Sequence, residues 1–263
     1  MSEIARYIDQ VNQNKRKALS VFLTAGYPQK KDFTSLALDI LDHGADLLEL
    51  GIPFSDPLAD GPVIQKSSQV ALAQGITLKD TLHYAGQIRK KSAKPLILMG
   101  YANPLLRYGL ARFIQDALNS GVNGLIIPDV PLEEYDTFWD TELMGLDIIL
   151  LTTPTSSPHR IRQIDSYSSG FVYCVSITGT TGVRSSFDAS VLENLTMTYQ
   201  NVTRNKMLIG FGISQPEDIR RFKPYCDGLI VGSAVIRTLD DAHPGDYSKA
   251  VNLVQSLGQA CFF

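Results

Sequence analysis

Residues 47–62 read LLELGIPFSDPLADGP. The first four form an apolar run interrupted by one carboxylate, Glu49. The rest dissolves into prolines, glycines and two more acids, Asp56 and Asp60. A short run that is apolar on both faces reads as a parallel strand covered on each side by helices. Seven further runs share this character: Leu19–Thr24 (LSVFLT), Pro95–Gly100 (PLILMG), Gly124–Ile127 (GLII), Ile148–Leu151 (IILL), Phe171–Val175 (FVYCV), Met207–Gly210 (MLIG) and Gly228–Val231 (GLIV). Their starts recur about every 30 residues, the length of a strand plus a crossover helix.

Helical periodicity fills the gaps. In 32–43, Phe33, Leu36, Ala37, Ile40 and Leu41 fall at i, i+3, i+4, i+7 and i+8, the spacing of one helix face. Similar patterns occupy 78–92, 109–119, 133–144, 158–167, 187–199, 216–223 and 246–258. Eight near-equal strand–helix units predict a closed (β/α)8 barrel, the TIM-barrel architecture, in a single domain spanning 1–263. An open doubly wound sheet alternates in the same way, but the first strand is not followed by G-x-G-x-x-G. Residues 2–12 form an extra helix, with Ile4, Tyr7, Ile8 and Val11 on one face, expected to cover the bottom rim.

The composition agrees: 263 residues, 44% hydrophobic and 19% charged, with net charge −3 and no basic block to attract nucleic acid or an anionic membrane. Cys174, Cys226 and Cys261 are scattered and form no C-x-x-C pair, which fits a reducing compartment. The N-terminus is polar, without a signal-peptide core, and no apolar run approaches the length of a membrane span. The expected location is cytoplasmic.

Two units are oversized, 47 to 95 and 171 to 207, and extra length after a barrel strand builds the active-site face. Alternation along the strand sends Leu47 and Glu49 one way and Leu48 and Leu50 the other. Facing inward near the C-terminal end of its strand, Glu49 would have its pKa raised toward neutrality by apolar walls, which suits a group that gives and takes a proton. An outward Glu49 paired with a helix is the structural alternative. Asp56 and Asp60 lie among Pro53, Pro57 and Pro62, where turn and cap chemistry alone would account for them. Asp60 gains interest from its position across the mouth from Glu49; for Asp56 a structural or interface role is preferred.

IGFGIS (209–214) leaves the seventh strand and VGSAVI (231–236) the eighth, with a short helix starting near Ser233. Bare amides in both loops make a nest for a dianion, at positions where barrels commonly hold phosphate. Either glycine loop alone would simply end a strand. SITGTTGVRSS (176–186) follows the sixth strand and has the composition of a hinged lid, or equally of a surface loop.

Together these motifs resemble the tryptophan synthase α chain family. The resemblance runs from FLTAG (22–26) to VGSA (231–234). It is carried most specifically by LELGIPFSDPLADGPVIQ (48–65), with MGYANP (99–104), PDVPLEE (128–134), SITGTTG (176–182) and GFGIS (210–214) beside it. It implies retro-aldol cleavage of indole-3-glycerol phosphate to indole and glyceraldehyde 3-phosphate, without cofactor or metal. It also implies transfer of indole to a pyridoxal-phosphate-dependent β chain in an α2β2 heterotetramer. On this resemblance Glu49 matches the general acid/base, and Asp60 the carboxylate beside the indole nitrogen. Phe22, Met99, Tyr101, Ile126 and Tyr173 match the indole slot and its rim, although Phe22, Met99 and Ile126 would equally be barrel core. Gly182, Gly212, Gly232 and Ser233 match the phosphate cradle, Thr181 the lid contact, and Asp56 with its prolines the loop that meets the β chain.

Thr180 stands where the family usually has valine and Gly100 where threonine is common, two departures expected to loosen the mouth. The histidines (His43, His83, His159, His243) match no catalytic position and read as surface or helix residues. A catalytically weak α chain that mainly activates its β partner is the alternative function. The sister barrels, indole-glycerol-phosphate synthase and phosphoribosylanthranilate isomerase, share the phosphate grip; the synthase chemistry calls for a lysine at a strand end, where this chain shows Glu49, Tyr101 and Tyr173.

Overall fold

The computed structural model describes residues 2–139, 145–176, 189–210, 212–240 and 242–263. Nine parallel strands lie in one sheet: β1 (Ala18–Thr24), β2 (Leu47–Gly51), β3 (Leu96–Met99), β4 (Gly124–Ile126), β5 (Asp147–Ile148), β6 (Leu151–Thr152), β7 (Phe171–Val175), β8 (Lys206–Gly210) and β9 (Gly228–Val231). The order is β5-β4-β3-β2-β1-β9-β8-β7-β6. The two ends of that order are consecutive in the chain, separated only by Ile149 and Leu150. Ile149 N donates to Leu125 O at 2.9 Å on one side, and Tyr173 N donates to Leu150 O at 3.0 Å on the other. One stretch therefore closes the ring, and the expected run 148–151 is split by a change of pairing partner in its middle.

Alternation sorts the strand residues into two apolar layers. Ala18, Leu47, Ile97, Ile126, Ile149, Phe171, Tyr173, Leu208 and Ile230 cluster inside the barrel. Their neighbours Leu19, Leu48, Leu96, Leu125, Val172, Met207 and Leu229 join the outer layer beneath the helices. Both layers are buried, and for that reason the strands carry no hydrophobic–polar alternation. Helix α1 (Glu3–Gln13) starts on a Ser2 cap, whose Oγ accepts from Ala5 N at 3.0 Å. It drives Ile4 and Ile8, both fully buried, into the inner cluster. The expected bottom cover is thus a plug.

Around the ring run α2 (Phe33–Asp42), α3 (Pro62–Ala73), α4 (Leu78–Arg89), α5 (Ala102–Tyr108), α6 (Leu110–Asn119), α7 (Tyr135–Phe138), α8 (Pro158–Tyr167), α9 (Ala189–Asn201), α10 (Pro216–Phe222), α11 (Ser233–Asp240) and α12 (Ser248–Ala260). Two of these, α3 and α5, escape the sequence pattern. The buried face of α3 includes Ser67 and Ser68 beside Ile64 and Ala71, so its apolar period is interrupted; Ser67 Oγ instead meets Thr24 Oγ1 at 2.6 Å. Helix α5 buries only Leu105. The helix expected over 133–144 is shorter: α7 ends at Phe138, Trp139 is extended, and 140–144 lie outside the described residues.

At the N-terminal ends of the strands, half-buried cations hold the loops. Arg16 pairs with Asp46 at 2.7 Å and donates to Gly44 O at 2.8 Å. Lys94 Nζ reaches Leu41 O and Ala45 O. With this end given to stability, the opposite rim is left for chemistry.

Candidate active site

Strand β2 presents Glu49 inward near its C-terminal end, 1% exposed. In register, Phe22 lies opposite it on β1 and Ile97 on β3. Ser20, one inward step below Phe22 and fully buried, donates from Oγ to Glu49 Oε1 at 2.7 Å. Glu49 Oε2 is buried and has no hydrogen-bond partner among the described residues. Burial pushes the carboxyl up to about 7, with the Ser20 hydrogen bond opposing the rise. A group so placed carries a proton at neutral pH and can release it.

Asp60 sits where the loop after β2 turns into α3. Its amide donates to Pro57 O at 3.0 Å, and Gln65 Nε2 donates to its carbonyl at 2.8 Å. Gly61 then caps α3, with Pro62 in the first turn, where its missing N–H costs nothing. Burial raises the Asp60 carboxyl to about 6, against the pull of the Tyr101 hydroxyl. Tyr101 Oη also accepts from Ala59 N at 3.1 Å, and its ring packs on Phe54 with centroids 5.3 Å apart. One tyrosine, delivered by the turn after β3, thus positions the loop that carries Asp60.

Tyr173 reaches in from β7. Burial, then the charges of Glu49 and Asp60, hold its phenol well above the ordinary range, so it stays protonated. It lies across Gly210, where a Cβ would fall 2.1 Å from Tyr173 Oη. Ile126 and Tyr173 belong to the interior cluster and Met99 packs against it, whereas Phe22, 7% exposed, joins the other apolar cluster.

On the far side of Phe22 are the glycine loops. A Cβ on Gly232 would stand 3.3 Å from Phe22 Cβ, and α11 begins at the next residue, Ser233. Gly212 has φ +81°, a conformation that glycine adopts without strain. The first-turn amides of α11, unsatisfied by the helix itself, lie at this rim.

The structure brings together Phe22, Glu49, Asp60, Met99, Tyr101, Ile126 and Tyr173, and sets Gly212, Gly232 and Ser233 at the ends of β8 and β9. Thr181 and Gly182, with Thr180, lie outside the described residues. Asp56 is apart, exposed at the loop tip, accepting from Ser55 Oγ beside Leu58, which is 94% exposed. The four histidines are all exposed. At Gly100 the space is filled, since a Cβ would approach Ile52 Cδ1 to 2.9 Å; the glycine admits Ile52 where a looser mouth was expected. Ser20 was missed by sequence reasoning. The signal available was parity, because Ser20 and Phe22 share a face of β1, and a hydroxyl among apolar inward residues needs a partner.

The family model described as tryptophan synthase alpha chain matches residues 8–260. The tryptophan synthase alpha chain of Geobacter sulfurreducens is 44% identical over 262 residues, 99% of each chain. That of Geotalea uraniireducens is 43% identical over 242 residues, 92% of this chain and 90% of its own. The solved structure of tryptophan synthase subunit alpha from Legionella pneumophila superposes with a TM-score of 0.86 at 35% identity, covering 99% of this chain and 98% of that one. With the barrel, the buried acid and these relatives in agreement, this chain belongs to the tryptophan synthase alpha chain family.

Proposed function

We propose that this chain cleaves indole-3-glycerol phosphate to indole and glyceraldehyde 3-phosphate, with Glu49 as general acid and base and Asp60 as the stabiliser of charge at the indole nitrogen. The observation that carries this reading is a pair of carboxyls held differently: Glu49 fully buried in the barrel on the Ser20 hydroxyl, and Asp60 on the loop that Tyr101 anchors. Burial raises both, and the proposed chemistry has the first hold its proton while the second is ionised.

Indole leaves poorly until its C3 is protonated. Glu49 delivers that proton, giving an indolenine whose cationic nitrogen is stabilised by ionised Asp60. Glu49, now a carboxylate, takes the hydroxyl proton from the adjacent side-chain carbon. The C–C bond electrons flow into the ring as the aldehyde forms, so one proton enters and one leaves through the same group. Phe22, Met99, Tyr101 and Ile126 form the apolar slot, with the Tyr173 phenol toward the glycerol chain. Gly212, Gly232 and Ser233, with Gly182 from the loop after β7, take the phosphate through backbone amides. Thr181 closes over the bound substrate.

The chain works as one barrel domain across 1–263, in the cytoplasm, and passes indole to a pyridoxal-phosphate-dependent β chain within an α2β2 assembly. The Asp56 loop, with Leu58 displayed at 94% exposure, is the docking element. Among the described residues no helix is long and apolar enough to cross a membrane. The test is indole release from indole-3-glycerol phosphate, with and without β chain. Glu49→Gln is expected to abolish release while the fold persists, and equal turnover by the variant overturns the assignment.

A further inference from the structure

Glu49 has two oxygens in different circumstances. Oε1 receives the Ser20 hydroxyl at 2.7 Å, and Oε2 is buried with no partner among the described residues. We propose that Ser20 is a positioning residue: by occupying Oε1 it fixes the carboxyl plane and leaves Oε2 as the oxygen that delivers and recovers the mobile proton. The inference rests on the acid–base reading of Glu49.

The argument is one of donor accounting. A serine hydroxyl has one proton to give, and Ser20 is fully buried, so that proton needs an acceptor. Glu49 Oε1 is the acceptor it has. If the carboxyl proton sat on Oε1 and pointed at Ser20, the serine proton would be left unpaired inside the barrel. With the proton on Oε2, Ser20 keeps its bond in both charge states of Glu49, and no hydroxyl has to turn between the two proton transfers. A reacting group held in one orientation reaches its transition state more often.

Among the described residues, Ser20 is the hydrogen-bond donor that reaches the Glu49 carboxyl. The strands flanking β2, namely β1 and β3, carry no charged side chain. Among the described residues, the Tyr173 phenol from β7 feels the charges of both Glu49 and Asp60, and Tyr101 is hydrogen-bonded to Asp60. Asp147 and Lys206 open β5 and β8 at the opposite end, where Lys206 pairs with Asp9. Ser20 is therefore the neutral donor that favours the ionised form of Glu49 against its burial.

The test uses the full chain with β chain added, in wild type, Ser20→Ala, Ser20→Cys and Ser20→Thr. Glutamate carboxyl carbons are labelled with ¹³C, and the Glu49 signal, identified by its loss in Glu49→Gln, is titrated beside the pH profile of kcat. In Ser20→Ala the Glu49 midpoint is expected to rise by about one pH unit, because a hydrogen bond to the charged form has gone. The alkaline limb of kcat should move with it, and kcat should fall several-fold while KM stays within about twofold, since Ser20 does not touch substrate. Ser20→Thr restores both readings, and Ser20→Cys, a weaker donor, gives a smaller shift in the same direction. A midpoint and limb unmoved in Ser20→Ala and Ser20→Cys overturn the proposal. Turnover surviving in Glu49→Gln would instead overturn the reading of Glu49, so the two failures are separable.

Discussion

The ring of Phe22 lies against the backbone of Gly51: a Cβ on that glycine would come within 2.4 Å of Phe22 Cζ. The same aromatic residue passes 3.3 Å from a Cβ built on Gly232. One side chain of β1 thus spans from the strand that carries the acid to the loop assigned to phosphate, and two glycines make room for it.

Gly51→Ala should therefore act on substrate binding through Phe22. The added methyl is expected to destabilise the protein by about 1–3 kcal/mol through overpacking and to raise KM as the ring leaves the slot. Gly51→Ala combined with Phe22→Leu should recover part of the stability. Denaturant unfolding and steady-state kinetics on the two variants check both statements.

The activity should be confined on both sides of pH. In the proposed mechanism Glu49 holds its proton, so kcat/KM is expected to fall as pH rises through about 7. Asp60 is ionised in that mechanism, so kcat/KM is also expected to fall as pH drops through about 6. The optimum is expected between these two values, because kcat/KM reports the free enzyme.

Asp60→Asn should lower kcat by roughly 100-fold, the scale for losing one preorganised electrostatic partner at a charged intermediate. Dividing the wild-type profile by that of Asp60→Asn cancels the ionisation of the substrate phosphate. The quotient should then retain the acid limb and lose the alkaline one, which belongs to Glu49 in both proteins.

Stability and chemistry should separate at the bottom of the barrel. Ile8→Ala removes a fully buried side chain from the inner cluster and is expected to cost about 2–5 kcal/mol. KM should change little. Asp46→Ala takes the carboxylate from both the half-buried Arg16 guanidinium and the buried Leu19 amide and should cost about 1–3 kcal/mol. Thermal unfolding with parallel assays of indole release checks both variants.

Several of these relationships were legible in the residues. Alternation placed Glu49 with Leu47 and against Leu48 and Leu50, and the two apolar layers divide in that way. The Ile4–Ile8 face of α1 was readable because its period is uninterrupted. Helix α3 was not, since hydroxyls satisfied by tertiary contacts, such as Ser67 on Thr24, stand where apolar residues would have announced it. The division of the stretch at 147–152 was equally hidden: which neighbour a backbone amide pairs with is decided by ring closure, and no side chain records it. Ser20 escaped because a lone hydroxyl in a strand has meaning only once its partner across the ladder is known. Asp60 was read from the sequence as a turn residue whose place across the mouth from Glu49 gave it interest, and the fold adds its setting beside Tyr101.

The plug formed by Ile4 and Ile8 has a consequence for traffic. With Ile4 and Ile8 filling the floor of the barrel, the described residues leave the rim as the doorway for what enters and what departs. An apolar product released there diffuses into water unless something already sits over the opening, and a subunit seated on the Asp56 loop would inherit it directly.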